Sequence, residues 1–310
     1  MKRSVFVQQN GSECDFNNSD SWVILSPIEQ SIKRKIEAVG TPLKDWDIQI
    51  NYGIKTGFND AFIISTEKRN EILANCQTED ERTRTAELIR PILRGRDIQR
   101  YGYEWAGKYL IATFPSRHYD IEQYPAVKQY LLSFGKERLE QTGKTYFVNG
   151  EKVKARKKTN NKWFETQDSI SYWEDFMQPK IIWKRIGSIL RFSYDTSGNL
   201  GLDSTCFAVG KHMAYLCCIL NSLMGHYMFK DSPKTGTGDL LVSVQAIEPI
   251  LIPMNKEMEC LFEDLLKEVL EHDSKKAEKE INRLAFKLYN LSPAEINYIT
   301  EFVTQSQQSQ

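Results

Sequence analysis

Between residues 180 and 229 the chain passes through three β-rich runs, KIIWKRI (180–186), ILRFSYD (189–195) and STCFAVG (204–210), split by turn residues. It then enters a nearly all-apolar stretch over 212–229. The runs predict an antiparallel meander. The apolar stretch predicts a buried helix, because a helix that is hydrophobic all round has no face to offer water. Strands and a buried helix in direct succession commit the chain to an α+β class, a mixed lobe holding antiparallel strands.

The rest of the pattern fits that class. PIEQSIKRKIEA (27–38) places Ile28, Ile32 and Ile36 at helical spacing, with Pro27 early and Gly40 just beyond the end. WDIQINYGIKTGFNDAFIIS reads as a hairpin of two β-rich runs around a glycine-bearing loop. Helical patterns follow near 67–76 and 81–90, then a strand over 108–114 and a helix over 124–141 that Pro125 opens. The segment 144–162 shows no apolar periodicity and reads as a loop or mobile arm. A loop holding SPKTGTGD leads to a strand near IEPILIP. Beyond Pro253 the lobe should be closed by a C-terminal helical segment, a hairpin over 255–290 and a third helix that Ser292 and Glu295 begin with a capping box. The polar tail TQSQQSQ should fray.

Charge narrows the function. Lys plus Arg number 41 and Asp plus Glu number 41, so attraction to a polyanion has to come from uneven placement. Such unevenness is visible: 144–162 holds seven basic residues against the single acid Glu151, while 255–310 holds eleven acids against seven bases. No apolar run reaches the roughly 20 residues a bilayer crossing needs, and the N-terminus turns polar early, so a cytoplasmic protein without membrane contact is expected. The six cysteines form no CxxC pair, which points to structural thiols rather than a metal site. Neither a P-loop nor a methyltransferase Asn-Pro-Pro-aromatic loop is present, and the only Asp-x-Lys, Asp273 to Lys275, lies between two charged helices. No catalytic, metal-ligating or cofactor-binding residue is therefore assigned.

Binding chemistry remains. GIKTG sets Lys55 and Thr56, with Asn59 nearby, at an expected hairpin tip where glycines let backbone approach a ligand. RPILRGRDIQRY presents Arg94, Arg96 and Arg100, whose planar forks suit phosphates and guanine edges unless Asp97 or Glu104 pairs with them. The basic arm adds Lys152, Lys154, Arg156, Lys157 and Lys158 as phosphate contacts. Lys184, Arg185 and Arg191 accompany the strands, with Asp195 or Asp203 as alternative cross-strand partners of the two arginines, and Lys234 lies in the glycine-containing loop.

In order, WDIQINYGIKTGFNDAFII, ELIRPILRGRDIQRY, KIIWKRI, ILRFSYD, ILNSLMGHYMF, IEPILIP and INRLAFKLYNLSPAEI resemble the C-terminal target-recognition region of TaqI-type adenine-N6 DNA methyltransferases. The same region occurs in single-chain type II (IIG) restriction-modification enzymes. The resemblance runs from about Trp22 to Phe302, and GIKTGFNDAF and RPILRGRDI are its most specific pieces. It implies a lead-in over 1–21, a DNA target-recognition domain over 22–254, the helical segment over 255–304 and a disordered tail over 305–310. It also implies sequence-specific reading of double-stranded DNA in the major groove. In that family a preceding methyltransferase half holds S-adenosylmethionine and the catalytic loop, so a methyltransferase domain, and in some members a nuclease domain, is the expected protein partner. The chain alone is not expected to methylate. The competing readings are a small stand-alone enzyme, for instance with Glu174 and Asp175 as a carboxylate pair, and a protein-interaction scaffold. Neighbouring residues on a helix do not face one another, which weakens the carboxylate pair.

Overall fold

A computed structural model describes residues 25–308. The lead-in expected over 1–21, Cys14 and the last two residues of the tail lie outside the described residues. Contacts divide the chain into two compact units that interleave in sequence: unit 2 comprises 47–221 and 232–246, and unit 1 the remainder. This division does not follow the contiguous order 22–254 and 255–304.

Unit 2 is mixed. Its strands are β1 (Ile48–Tyr52), β2 (Ile63–Ser65), β3 (Ile89–Leu93), β4 (Lys108–Ile111), β5 (Thr145–Val148), β6 (Glu151–Lys154), β7 (Lys180–Lys184), β8 (Phe192–Asp195), β9 (Leu200–Gly201) and β10 (Thr205–Gly210). One sheet has the order β8-β7-β10-β1 and is antiparallel throughout. The expected antiparallel strands are there, but not as a meander: β7 lies in the middle, flanked by β8 and β10. A second sheet has the order β9-β3-β4-β2, antiparallel except where β9 joins β3.

The expected hairpin of β1 with β2 does not form. β1 pairs with β10 and β2 with β4, in different sheets. In the first sheet Lys180 and Asp195, opposite each other on β7 and β8, form an ion pair at 2.5 Å with both side chains fully buried. Burial lowers the Lys180 pKa, against the pull of Asp195. Backbone N–H groups of Ser197 and Asn199 also donate to Asp195. A buried carboxylate satisfied in this way is unavailable to Arg185 or Arg191.

The helix expected over 124–141 is two pieces, Pro125–Leu132 and Lys136–Leu139. The apolar helix expected over 212–229 is buried as predicted but stops at Asn221. There the Asn221 side chain turns to the edge of β8, accepting from Phe192 N at 3.1 Å and donating to Phe192 O at 2.6 Å. A new helix, Leu223–Met228, starts at Ser222, whose hydroxyl accepts from Gly225 N.

Unit 1 is helical. Its main helices are α1 (Pro27–Val39), α2 (Lys256–His272), α3 (Lys275–Leu288) and α4 (Pro293–Gln308), with Thr41–Pro42 paired to Leu251–Ile252. The expected tail is helical as far as Gln308. Both capping boxes form, Ser26 with Glu29 and Ser292 with Glu295. Tyr227 meets Tyr298 and Phe302 of α4 edge to face.

Glu295 also ties the first helix to the last. It accepts from Lys35 Nζ and from the Ser31 hydroxyl, each at 2.7 Å. Burial pushes its pKa up, but the Lys35 ammonium, the Ser292 N–H and the hydroxyl partners outweigh this and hold it at about 2. The folded value lies below the unfolded one, so the stabilisation is present above about pH 4.5 and lost as pH falls toward 2. With Lys35 a third exposed, we expect on the order of 2 kcal/mol. The urea midpoints of wild type and Glu295→Gln should differ at pH 6 and converge by pH 2.

Candidate functional site

Among the backbone segments that pass between the sheets of unit 2 are residues 53–62 from β1 to β2 and residues 202–204 from β9 to β10. They run side by side. Gly53 N donates to Thr205 O at 3.0 Å, Ile54 N to Gly201 O at 2.7 Å and Asp203 N to Ile54 O at 2.9 Å. Gly53 is required by this approach: a Cβ there would sit 1.9 Å from the Leu202 carbonyl oxygen. The glycine of GIKTG thus serves a crossing of chains rather than a turn.

Further segments are fastened to the same place. Gly95 N donates to the Ser204 hydroxyl at 2.9 Å, Arg185 N to Ser204 O at 3.0 Å, and the N–H groups of Gln167 and Asp168 to Lys55 O. On this hydrogen-bonded floor Lys55, Arg96 and Lys184 are exposed and Arg185 is half-buried. A Cβ on Gly95 would lie 3.0 Å from Lys184 Cγ, which sets the Arg96 turn directly against Lys184. Burial raises the Asp168 pKa, against the pull of Lys55, whose carbonyl its N–H meets. Arg185 has no carboxylate partner among the described residues, and its Nε is buried without a hydrogen-bond partner. The cluster can present the cations of Lys55, Arg96, Lys184 and Arg185 to an anionic ligand, with the carboxylates of Asp168 and Asp203 beside Lys55.

Other expected site residues lie differently. Arg94 is held by Asp97 in a two-pronged contact, at 3.0 Å from Nε and 2.7 Å from Nη2, so the pairing alternative applies to it. Arg100 donates to Asn221 O, and Arg191 donates to Gln99 Oε1 at 3.1 Å; both lie beside β8. Lys234 is exposed in a loop held to Leu240. Asn59 is exposed, and its side-chain oxygen accepts from Thr56. Thr56, expected at a tip, is only 1% exposed, its backbone carbonyl held by Arg156.

The basic arm needs the largest correction. Residues 145–154 form a β5-β6 hairpin, not a loop. Asn149 and Gly150 take φ of 51° and 85°, as a two-residue type I′ turn demands. The signal was the Asn-Gly pair between TYFV and EKVK, masked by the density of lysines. Arg156 is no phosphate contact on a mobile arm: it is 3% exposed and donates to the carbonyls of Leu139, Thr56, Glu165 and Trp163. Lys152, Lys154, Lys157 and Lys158 are exposed around it. Asp175, offered as half of a carboxylate pair, accepts from Asn51.

Among the described residues no group of three or more His, Cys, Asp or Glu side chains is placed to hold a metal ion, and no helix is long and apolar enough to cross a membrane. No curated protein matches the chain. Its fold is similar to that of MmeI, a type IIL restriction-modification enzyme solved in complex with DNA. The TM-score is 0.56 at 11% identity, covering 87% of this chain and 37% of that one. The type IIG restriction endonuclease BpuSI matches with a TM-score of 0.45 at 12% identity, over 85% of this chain and 33% of its own. The chain thus spans about a third of the length of either enzyme. A family model, the TaqI-like C-terminal specificity domain, matches residues 90–245. That span is half of the sequence and takes in all but the first residue of β3, then β4 to β10, the Arg96 turn and the β5-β6 hairpin, and by it the chain belongs to the family of TaqI-like C-terminal specificity domains.

Proposed function

We propose that this chain is a sequence-specific double-stranded DNA recognition module of a type II restriction-modification enzyme or adenine-specific DNA methyltransferase. In this reading methyl transfer belongs to a methyltransferase domain that binds S-adenosylmethionine, and recognition belongs to unit 2. The observation that carries the reading is the crossing point, where Lys55, Arg96, Lys184 and Arg185 stand on backbone fixed by hydrogen bonds. Side chains that rise from so fixed a backbone suit base edges, while lysines on the neighbouring hairpin suit phosphates.

Replacing Lys152, Lys154, Lys157 and Lys158 by alanine should weaken all duplexes alike. Each lost phosphate contact should flatten the log-log salt slope by about one unit. Replacing Lys55 or Arg185 should instead cost roughly 1 to 3 kcal/mol of discrimination at one base position, with nonspecific affinity little changed. Duplexes selected from a random pool and scrambled versions of them, titrated at several salt concentrations, measure both effects. Equal losses on selected and scrambled DNA for Lys55 and Arg185 would show that the reading residues lie elsewhere.

A further inference from the structure

The β5-β6 hairpin carries a feature that phosphate binding leaves unexplained. Phe147 is 73% exposed, the most exposed large apolar side chain among the described residues. Single exposed apolar residues are common on protein surfaces, and exposure alone means little. The setting here is more specific. Phe147 lies opposite Lys152 and Thr145 opposite Lys154, so one face of the ribbon holds an aromatic ring with one lysine across from it and another diagonal to it, all exposed. The Lys152 ammonium is 5.9 Å from the ring centroid. Tyr146, Val148 and Val153 take the other face and are half-buried.

The ribbon is also firmly rooted and free at its end. At the root, Ala155 N donates to Lys144 O, Gly143 N to Arg156 O, and Arg138 to Lys154 O. At the tip, a Cβ on Gly150 would meet nothing within 4 Å. A two-stranded ribbon is narrow enough to enter a DNA groove. A flat ring with lysines alongside suits a base and the phosphates next to it, and apolar side chains placed so act as wedges at a base step.

We propose that Phe147 enters the bound duplex as a wedge, stacking on a base at an opened step while Lys152 and Lys154 hold the adjacent phosphates. This rests on the DNA-recognition reading above and adds a deforming contact to it. A wedge works against base stacking, so a duplex already opened at one step should be the better ligand.

The test compares a fluorescein-labelled duplex with the same duplex carrying one abasic step, using wild type, Phe147→Ala and Phe147→Trp. Wild type should favour the opened duplex by roughly tenfold, Phe147→Ala should bind the two alike, and Phe147→Trp should keep the preference. At an exposed position neither change should move the thermal midpoint. A wild type without preference, or a Phe147→Ala that keeps it, overturns the wedge while leaving DNA recognition standing. The latter result would direct Phe147 toward a protein surface instead. A wild type that binds neither duplex overturns the recognition reading and the wedge with it.

Discussion

Arg156→Ala should destabilise unit 2 by about 3 to 5 kcal/mol, read as a fall in denaturation midpoint, because it removes a buried side chain that donates to four separate backbone carbonyls, of which Glu165 O alone has a second side-chain donor, Gln141. The bonds run to Leu139 O at 2.8 Å, Thr56 O at 2.9 Å, Glu165 O at 2.8 Å and Trp163 O at 2.7 Å. Burial lowers the guanidinium pKa to about 10, with Glu140 and Glu165 pulling the other way, so it stays charged at neutral pH and its donors are charge-assisted. Its removal would leave those carbonyls around a cavity beside Phe62, whose ring the guanidinium covers. Lysine should recover little, since three donors on a point charge cannot meet four acceptors arranged for a planar fork. An unchanged midpoint with weakened DNA binding would return Arg156 to the phosphate-contacting set.

Gly53→Ala should have an effect of similar size, about 3 kcal/mol, or roughly 10 °C in melting temperature for a unit of this length. The added methyl would meet the Leu202 carbonyl oxygen at 1.9 Å and its carbon at 2.5 Å. Backbone cannot yield there without parting the two crossings and losing the bonds from Gly53 to Thr205 and from Asp203 to Ile54. Gly150→Ala is the informative control. Its Cβ has open space, so only the φ of 85° penalises it, by about 1 kcal/mol. Equal shifts for the two would mean that glycine flexibility, not close approach, is what position 53 requires.

Local signals were legible and long-range pairing was not. Ser292 and Glu295 announced a helix start, and both hydrogen bonds of the box are present. Strand composition identified β7, β8 and β10, yet composition carries no information about neighbours, and β7 proved central. The run after β1 was read as a hairpin because glycines flank Lys55 and Thr56. The same residues permit a crossing, and only the carbonyl of Leu202, far along the chain, decides between them. Among the basic residues the type of side chain was visible but its partner was not. Arg94 and Arg96 are two residues apart, and Asp97 occupies the first while the second stays exposed. The Arg156 site depends on four carbonyls from three separate stretches, which no spacing rule could anticipate.

The interleaving of the two units sets an order of events during synthesis. By residue 221 nearly all of unit 2 has been made, and it can fold as the chain emerges. Unit 1 has to wait. Lys35 on its first helix is 260 residues from Glu295 on its last, and Ile32, fully buried once the helices assemble, has no such cover beforehand. A ribosome stalled between these points would carry a folded unit 2 and a helix still without its partner. Shortening the chain ahead of Pro293 would make that state permanent, so damage at the C-terminal end of this sequence should appear first as aggregation through the N-terminal helix.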